Sequence, residues 1–311
     1  MSVGLLNNRI ALVTGGASGI GFAIARQFAD EGAQLIIADK NPEKLVQANN
    51  WFTEHNYSLL AIECDVCDSS QVASLMTNIQ STYGHLDILV NNVGDFLGRI
   101  KPFVSMTDED IDDLFTVNLR QLMICTRDAI PLLRQASQQA SVICISSIEG
   151  YRGMPNIAPY GAYKLGIEGF VKSIALELGP DNIRINAIAP ETTETDQVQP
   201  KKWISEANYS RVKEWIPLGR FGQSEDIAGS ALFLASRLSQ WITGTVIHCD
   251  GGALAAAGWY RTPEGSWTNT PVITESGIHN SNDVKTMNAV SYTHLRAHET
   301  RGNLVCRLLL E

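Results

Sequence analysis

Short apolar runs rich in Val, Ile and Leu alternate along this chain with longer stretches whose apolar positions recur every three or four residues. The runs at 10–14, 34–39, 58–63, 87–91, 141–146, 183–189 and 245–249 are too short for helices, which predicts buried strands. The amphipathic stretches at 19–31, 42–55, 69–83, 110–135, 159–179 and 224–236 predict helices, with shorter ones near 201–215. Strand and helix in strict alternation, joined by right-handed crossovers, make a parallel sheet. The expected class is α/β: a doubly wound sheet of about seven parallel strands with helices on both faces.

Composition agrees with one large domain. The chain has 311 residues, 44% hydrophobic and 18% charged, enough for a single core over residues 1–257. Formal net charge is −9, so no basic patch invites nucleic acid or an anionic membrane. No apolar run approaches the length of a membrane span and no basic signal segment opens the chain, which makes the cytoplasm the expected location. Residues 191–222 form a long connection of the kind that serves as a lid. Trp203, Tyr209 and Trp215 there either close over substrate or pack the loop onto the body; both readings stay open. Residues 258–289 lack period and suggest an extended arm, and 290–311 suggest a non-native read-through tail.

Candidate chemistry begins at Tyr160-Gly161-Ala162-Tyr163-Lys164. In a helix, residues four apart share a face, so Tyr160 meets Lys164 and Tyr163 points elsewhere. A nearby ammonium is expected to lower the phenol's pKa and make Tyr160 an acid/base. Thirteen residues upstream, Ser147 ends a buried strand at the carboxyl edge of the sheet, where ligands of such folds bind. At the other end of the chain, Gly15-Gly16-Ala17-Ser18-Gly19-Ile20-Gly21 joins a strand to a helix and suits a pyrophosphate. Asp39 follows at the end of the next strand; its carboxylate suits the two hydroxyls of an adenosine ribose and repels a 2′-phosphate, so the expected cofactor is NAD. Ser18 agrees, since no arginine stands in the turn, and Lys40 reads as a solvated side chain. Cys64-Asp65-Val66-Cys67 has metal or redox spacing but no second pair, so the cysteines read as core residues and no metal is expected.

With these pieces the chain resembles the short-chain dehydrogenases/reductases over nearly all of residues 5–253, a Rossmann-like family. The resemblance is carried by the glycine turn, Asp65-Val66, Asn91-Asn92-Val93-Gly94, Asn118, Ser147, Tyr160, Lys164, Asn186-Ala187-Ile188-Ala189-Pro190, Pro217-Leu218-Gly219-Arg220-Phe221-Gly222, Ile242-Thr243-Gly244 and Asp250-Gly251-Gly252. It implies that Gly15, Ser18, Gly19, Ile20, Gly21 and Asp39 hold the cofactor, that Asp65 and Val66 hold the adenine, and that Asn91 and Gly94 line its middle. Pro190 and Thr195 would stand at the nicotinamide, Thr195 touching the carboxamide. Tyr160 would exchange the proton of the substrate oxygen, Ser147 would hydrogen-bond that oxygen, Lys164 would hold the nicotinamide ribose, and Asn118 would anchor a relay water. One departure is Glu191, where the family usually has glycine after the proline; the default expectation is a loop carboxylate facing water.

The activity implied is NAD(H)-dependent interconversion of a secondary alcohol and a ketone, on a cyclic alcohol, hydroxysteroid or sugar-like substrate. The alternatives are a 3-oxoacyl-carrier-protein reductase and a non-catalytic dinucleotide-binding sensor. Enoyl reductases, as the resemblance has it, space their Tyr and Lys more widely. A homo-oligomer, in the family's habit a tetramer, is expected from apolar residues such as Leu122, Met123, Phe170 and Ile174 on the helices at 110–135 and 159–179.

Overall fold

The computed structural model describes residues 4–256 apart from 203 and 205, together with the backbone of two short strands, Tyr260–Arg261 and Trp267–Thr268. Met1–Ala257 group into one compact unit and Gly258–Glu311 into another, of which the two short antiparallel strands are the described part. The remainder of the expected arm and the tail at 290–311 lie outside the described residues, as does Trp203.

Strands β1 (Ile10–Thr14), β2 (Gln34–Asp39), β3 (Leu59–Glu63), β4 (Ile88–Asn91), β5 (Ala140–Ile145) and β6 (Ile183–Pro190) join a seventh, Val246–Cys249. Their spatial order is β3-β2-β1-β4-β5-β6 and then Val246–Cys249, every neighbour parallel. Because successive strand residues face opposite ways, one sheet serves two cores. Leu12, Ile36, Val142 and Cys144 pack under α3 (Ser69–Tyr83), α5 (Gln121–Leu133) and α6 (Ala158–Leu178). Val13, Ile37, Ile143 and Ile145 pack under α1 (Gly19–Asp30), α2 (Pro42–Glu54) and the last helix, Ser224–Ala235. Each large aliphatic side chain so buried stabilises by about 1.5–3 kcal/mol.

Local chemistry sets the helix ends. Asn41 caps α2 by accepting the Lys44 N–H at 3.0 Å, with Pro42 in the first turn. Asp68 caps α3, and Gly84 closes it at φ 76°. The helix expected at 110–135 is not continuous: α4 (Asp108–Phe115) passes through a π-helical turn, Thr116–Arg120, before α5. Such a widened turn is a common device at functional sites. It carries Asn118, fully buried, toward the site.

The apolar residues named above for an oligomer interface need correction. Leu122 is 1% exposed and belongs to the core, and Met123, Phe170 and Ile174 are partly buried against it. The outward apolar side chains of these helices are instead Phe115, Leu165 and Leu176.

Candidate active site

The carboxyl ends of the strands open on one cleft of about 880 Å³, at the point where the sheet order reverses between β1 and β4. At its mouth the glycine turn takes left-handed backbone at Gly15 (φ 60°) and Gly19 (φ 55°). A Cβ at Gly21 would stand 2.2 Å from the Gly15 carbonyl oxygen, so Gly21 serves the close packing of the turn rather than lining the cleft. Ser18 makes no side-chain cap on α1, so the first N–H groups of that helix keep their capacity for an anion. Ile20 lines the same wall.

Asp39 is oriented by two backbone donors, Ala17 N to Oδ2 at 3.2 Å and Asn41 N to Oδ1 at 3.0 Å. Lys40 is exposed at the rim. The fold nevertheless brings a base to the turn that sequence spacing did not suggest: Lys44 Nζ donates to Ser18 Oγ at 3.1 Å and pairs with Asp196 at 3.7 Å. Asp65 and Val66 line the adjoining wall, Asp65 Oδ1 accepting the Cys67 N–H at 3.0 Å. Burial pushes the Cys64 and Cys67 thiols up to about 11, which makes them poor nucleophiles. Among the described residues no group of three or more His, Cys, Asp or Glu could hold a metal ion.

Asn91 does not line the cleft. Its side chain is fully buried and donates to Thr126 Oγ1 at 2.9 Å, because the strand's alternation turns it into the core. The next residue, Asn92, faces the cleft and donates to the carbonyls of Thr14 and Gly15, each at 3.1 Å, bracing the glycine turn.

At the inner end Ser147, Tyr160 and Lys164 converge. Tyr160 and Lys164 share a face of α6, with Lys164 Nζ 5.5 Å from the centre of the phenol ring. The Ser147 hydroxyl stands near the Tyr160 phenol and eases its ionisation, and Phe96 covers the phenol with ring centres 4.4 Å apart. Tyr163 points away, donating to the Ile111 carbonyl at 3.3 Å and packing on Phe115. Lys164 is 3% exposed and donates to the Ile145 carbonyl at 3.0 Å; burial pushes its ammonium down to about 8. Gly94 leaves room for it, since a Cβ there would lie 2.8 Å from Nζ.

The expected lowering of the Tyr160 pKa is not what the geometry produces. Burial holds the phenol well above its ordinary value, Glu149 and Asp95 add to the rise, and only the Ser147 hydroxyl opposes it. The lysine, itself desolvated, does not outweigh that. Asn118 uses its side chain on the backbone: Nδ2 donates to Asp95 O at 2.8 Å and Leu114 O at 3.0 Å, and Oδ1 accepts from Asp95 N at 3.1 Å. It holds the segment carrying Gly94 and Asp95 against the lysine.

Glu191 is likewise not a solvated loop carboxylate. It is 7% exposed, lines the cleft, and pairs with Arg152 at 2.8 Å, while its Oε1 accepts the Thr192 N–H at 2.6 Å. Pro190 and Thr195 line the cleft on either side, and Thr195 stands over Gly19. Tyr209 and Trp215 pack on Phe221, with ring centres 5.7 and 5.8 Å apart, which favours the reading that they fasten the loop to the body.

A family profile described as Enoyl-(Acyl carrier protein) reductase matches residues 15–253. The chain belongs to the short-chain dehydrogenase/reductase family. It is 37% identical over 254 residues to the 3-oxoacyl-[acyl-carrier-protein] reductase FabG of Chlamydia trachomatis, covering 80% of this chain and 98% of that one. To the 3alpha-hydroxysteroid dehydrogenase of Mediterraneibacter gnavus it is 34% identical over 252 residues, with the same coverage. Among solved structures, a 7α-hydroxysteroid dehydrogenase complexed with NADH and 7-oxo glycochenodeoxycholic acid superposes with a TM-score of 0.73 at 29% identity, over 79% of this chain and 94% of that one.

As a short-chain dehydrogenase/reductase this protein has room and chemistry for a nicotinamide dinucleotide. The helix end without a side-chain cap, the glycines that bring backbone close, and a carboxylate one strand away fit its pyrophosphate and adenosine ribose. Lys44, Glu149 and Arg152 are the residues that motif spacing missed, and Asn92, named within its motif, had no role assigned to it. The partners of Lys44, Asn92 and Arg152 lie far away in sequence, and the charge pattern around Lys40 and Lys44 carries no hint of which lysine reaches the turn.

Proposed function

We propose that this protein is an NAD(H)-dependent oxidoreductase interconverting a secondary alcohol and a ketone. The observation that carries the reading is the convergence of Ser147, Tyr160 and Lys164 at the inner end of a cleft whose outer end is held by Asp39. When bound, the nicotinamide supplies or takes the hydride. Tyr160, kept as a phenol by burial, gives its proton to the ketone oxygen; in the oxidative direction it first passes that proton to the relay at Lys164, and the phenolate so formed takes the alcohol's proton. Ser147 hydrogen-bonds that oxygen. Lys164 holds the nicotinamide ribose and returns the proton to Tyr160, with Asn118 holding the relay path beside it. Asp39 takes the adenosine ribose hydroxyls and repels a 2′-phosphate, which makes NAD the cofactor. Gly15, Ser18, Gly19 and Ile20 receive the pyrophosphate, Asp65 and Val66 the adenine, and Gly94, Pro190 and Thr195 the nicotinamide half.

The substrate class is a cyclic, steroidal or sugar-like alcohol, in keeping with the ring ketone of the structurally similar 7α-hydroxysteroid dehydrogenase. The enzyme works in the cytoplasm as a homotetramer, without nucleic acid or membrane; no helix among the described residues is long and apolar enough to cross one. Initial rates across cyclic, steroidal and sugar alcohols with NAD⁺ and with NADP⁺ test the proposal. Oxidation of one of these classes with NAD⁺ preferred is expected.

A second reading, 3-oxoacyl-carrier-protein reductase, is favoured by the names of several relatives. Reduction of an acetoacetyl thioester with NADPH, faster than any alcohol in that screen is oxidised, would replace the first reading with this one.

A further inference from the structure

The reacting end of the cleft is built from three segments, each following a strand. Asp95 and Phe96 follow β4, Ser147 and Glu149 follow β5, and Glu191 and Thr192 follow β6. Each segment contributes a carboxylate. One guanidinium stands among them: Arg152 Nη2 lies 2.6 Å from Glu149 Oε1 and 2.8 Å from Glu191 Oε2, and its Nε lies 3.2 Å from Glu149 Oε2. The guanidinium also lies over the Trp215 ring, 5.9 Å from its centre. The cation that would receive a substrate carboxylate or phosphate is therefore already taken by two acids.

Glu191 is not free to leave it. Glu191 is buried and anchored through Oε1 to the Thr192 N–H and hydroxyl, and the Glu149 N–H donates to Ser147 Oγ at 3.2 Å. Asp95 is held by the Leu97 N–H at 2.8 Å. The cations that line the cleft itself are Lys40 and Lys44 at the ribose end and Lys164, whose Nζ is committed to the Ile145 carbonyl. Two carboxylates thus share one guanidinium, and Asp95 adds a third carboxylate near the reacting oxygen. Their field reaches it, since Glu149 and Asp95 both disfavour ionisation of Tyr160. Phe96, Ile100 and Met154 add apolar surface to the wall.

We infer that the cleft selects uncharged alcohols and ketones and turns away substrates bearing a carboxylate or phosphate beside the reacting carbon, and that Glu149 is the residue that sets this selection. The inference rests on the alcohol–ketone reading above. Glu149 is assigned the role because its removal would leave Arg152 with Glu191 alone and donors to spare for an anion.

The test uses the full-length enzyme with NADH and two ketones of the same shape, acetoacetamide and acetoacetate. Repulsion by one net charge in a partly desolvated site should favour the amide by at least ~10-fold in kcat/KM. Glu149→Gln should narrow that ratio by at least ~3-fold, chiefly through a lower KM for acetoacetate. If neither ketone is reduced but an alcohol is oxidised, the pair is compared as competitive inhibitors of that alcohol against the same ratios. Equal or better use of acetoacetate would overturn the inference and leave the oxidoreductase reading standing. An unchanged ratio in Glu149→Gln would overturn the assignment to Glu149. Turnover of no alcohol or ketone with either cofactor would remove both readings together.

Discussion

Lys164 Nζ stands 5.5 Å from the centre of the Tyr160 ring and is bonded not to the phenol but to the Ile145 carbonyl, 3.0 Å away. The two residues share a helix face, and the strand end that carries Ser147 anchors the lysine. Ser147 is thus the side chain that eases ionisation of Tyr160, while Lys164 stands beside its ring.

Removing only the hydroxyl separates Tyr160 from its neighbour. We expect Tyr160→Phe to retain NADH binding, followed by nicotinamide fluorescence, while kcat falls at least ~10²-fold. Tyr163→Phe loses a 3.3 Å bond to a carbonyl and should stay within about tenfold of wild type. An inactive Tyr163→Phe beside an active Tyr160→Phe would refute the assignment.

Cofactor choice should follow Asp39. Wild type is expected to favour NAD⁺ over NADP⁺ by at least ~10-fold in kcat/KM, about 1.4 kcal/mol. Asp39→Ser removes the repulsion and leaves Lys40 and Lys44 at the rim, so NADP⁺ should gain relative to NAD⁺. Equal use of both cofactors by wild type would show that the two lysines outweigh the carboxylate.

The buried lysine gives a pH signature in the apoprotein. Its folded pKa of about 8 is below the ordinary 10.5, so the unfolded chain binds more protons between those values. This group's contribution to stability therefore rises with pH across that window, by at most roughly 1.4 kcal/mol for each pH unit. The thiols, raised by burial, act in the opposite sense above their ordinary value. Urea unfolding at several pH values should show wild type gaining on Lys164→Met between the folded and unfolded pKa values of the lysine; parallel curves would contradict the assignment.

Gly21→Ala should be severe. The added Cβ would meet the Gly15 carbonyl at 2.2 Å and the Asn92 amide at 2.6 Å, and the backbone contact cannot rotate away. NADH affinity should fall at least ~10-fold and the thermal midpoint should drop, both measurable in one melt series with and without NADH.

Leu176, 80% exposed, and Leu165, 49% exposed, lie on α6 with no cover from the described residues. Light scattering is expected to give a mass near four times 34.0 kDa, and Leu165→Glu with Leu176→Glu should lower it. A monomer at micromolar concentration would count against the tetramer.

Much of this architecture is local physics and was legible in the chain. Short apolar runs and period-3.6 patterns placed the strands and helices of the doubly wound sheet, because each element buries its own apolar face. The glycine turn, Asp39 and the Tyr160–Lys164 pairing were legible for the same reason: each is a short-range relation inside one turn, strand end or helix face. What a one-dimensional pattern could not decide was partnership between residues far apart in the chain. Asn91 and Asn92 read alike until the sheet turned one inward and the other to the cleft. Lys44 reached Ser18 across twenty-six positions, and Glu191, expected in water, became a buried acid because Arg152 arrived from the neighbouring strand end. The sign of the Tyr160 shift was decided there too: desolvation is a property of the assembled core, and it outweighed the charge that the helix alone had placed nearby.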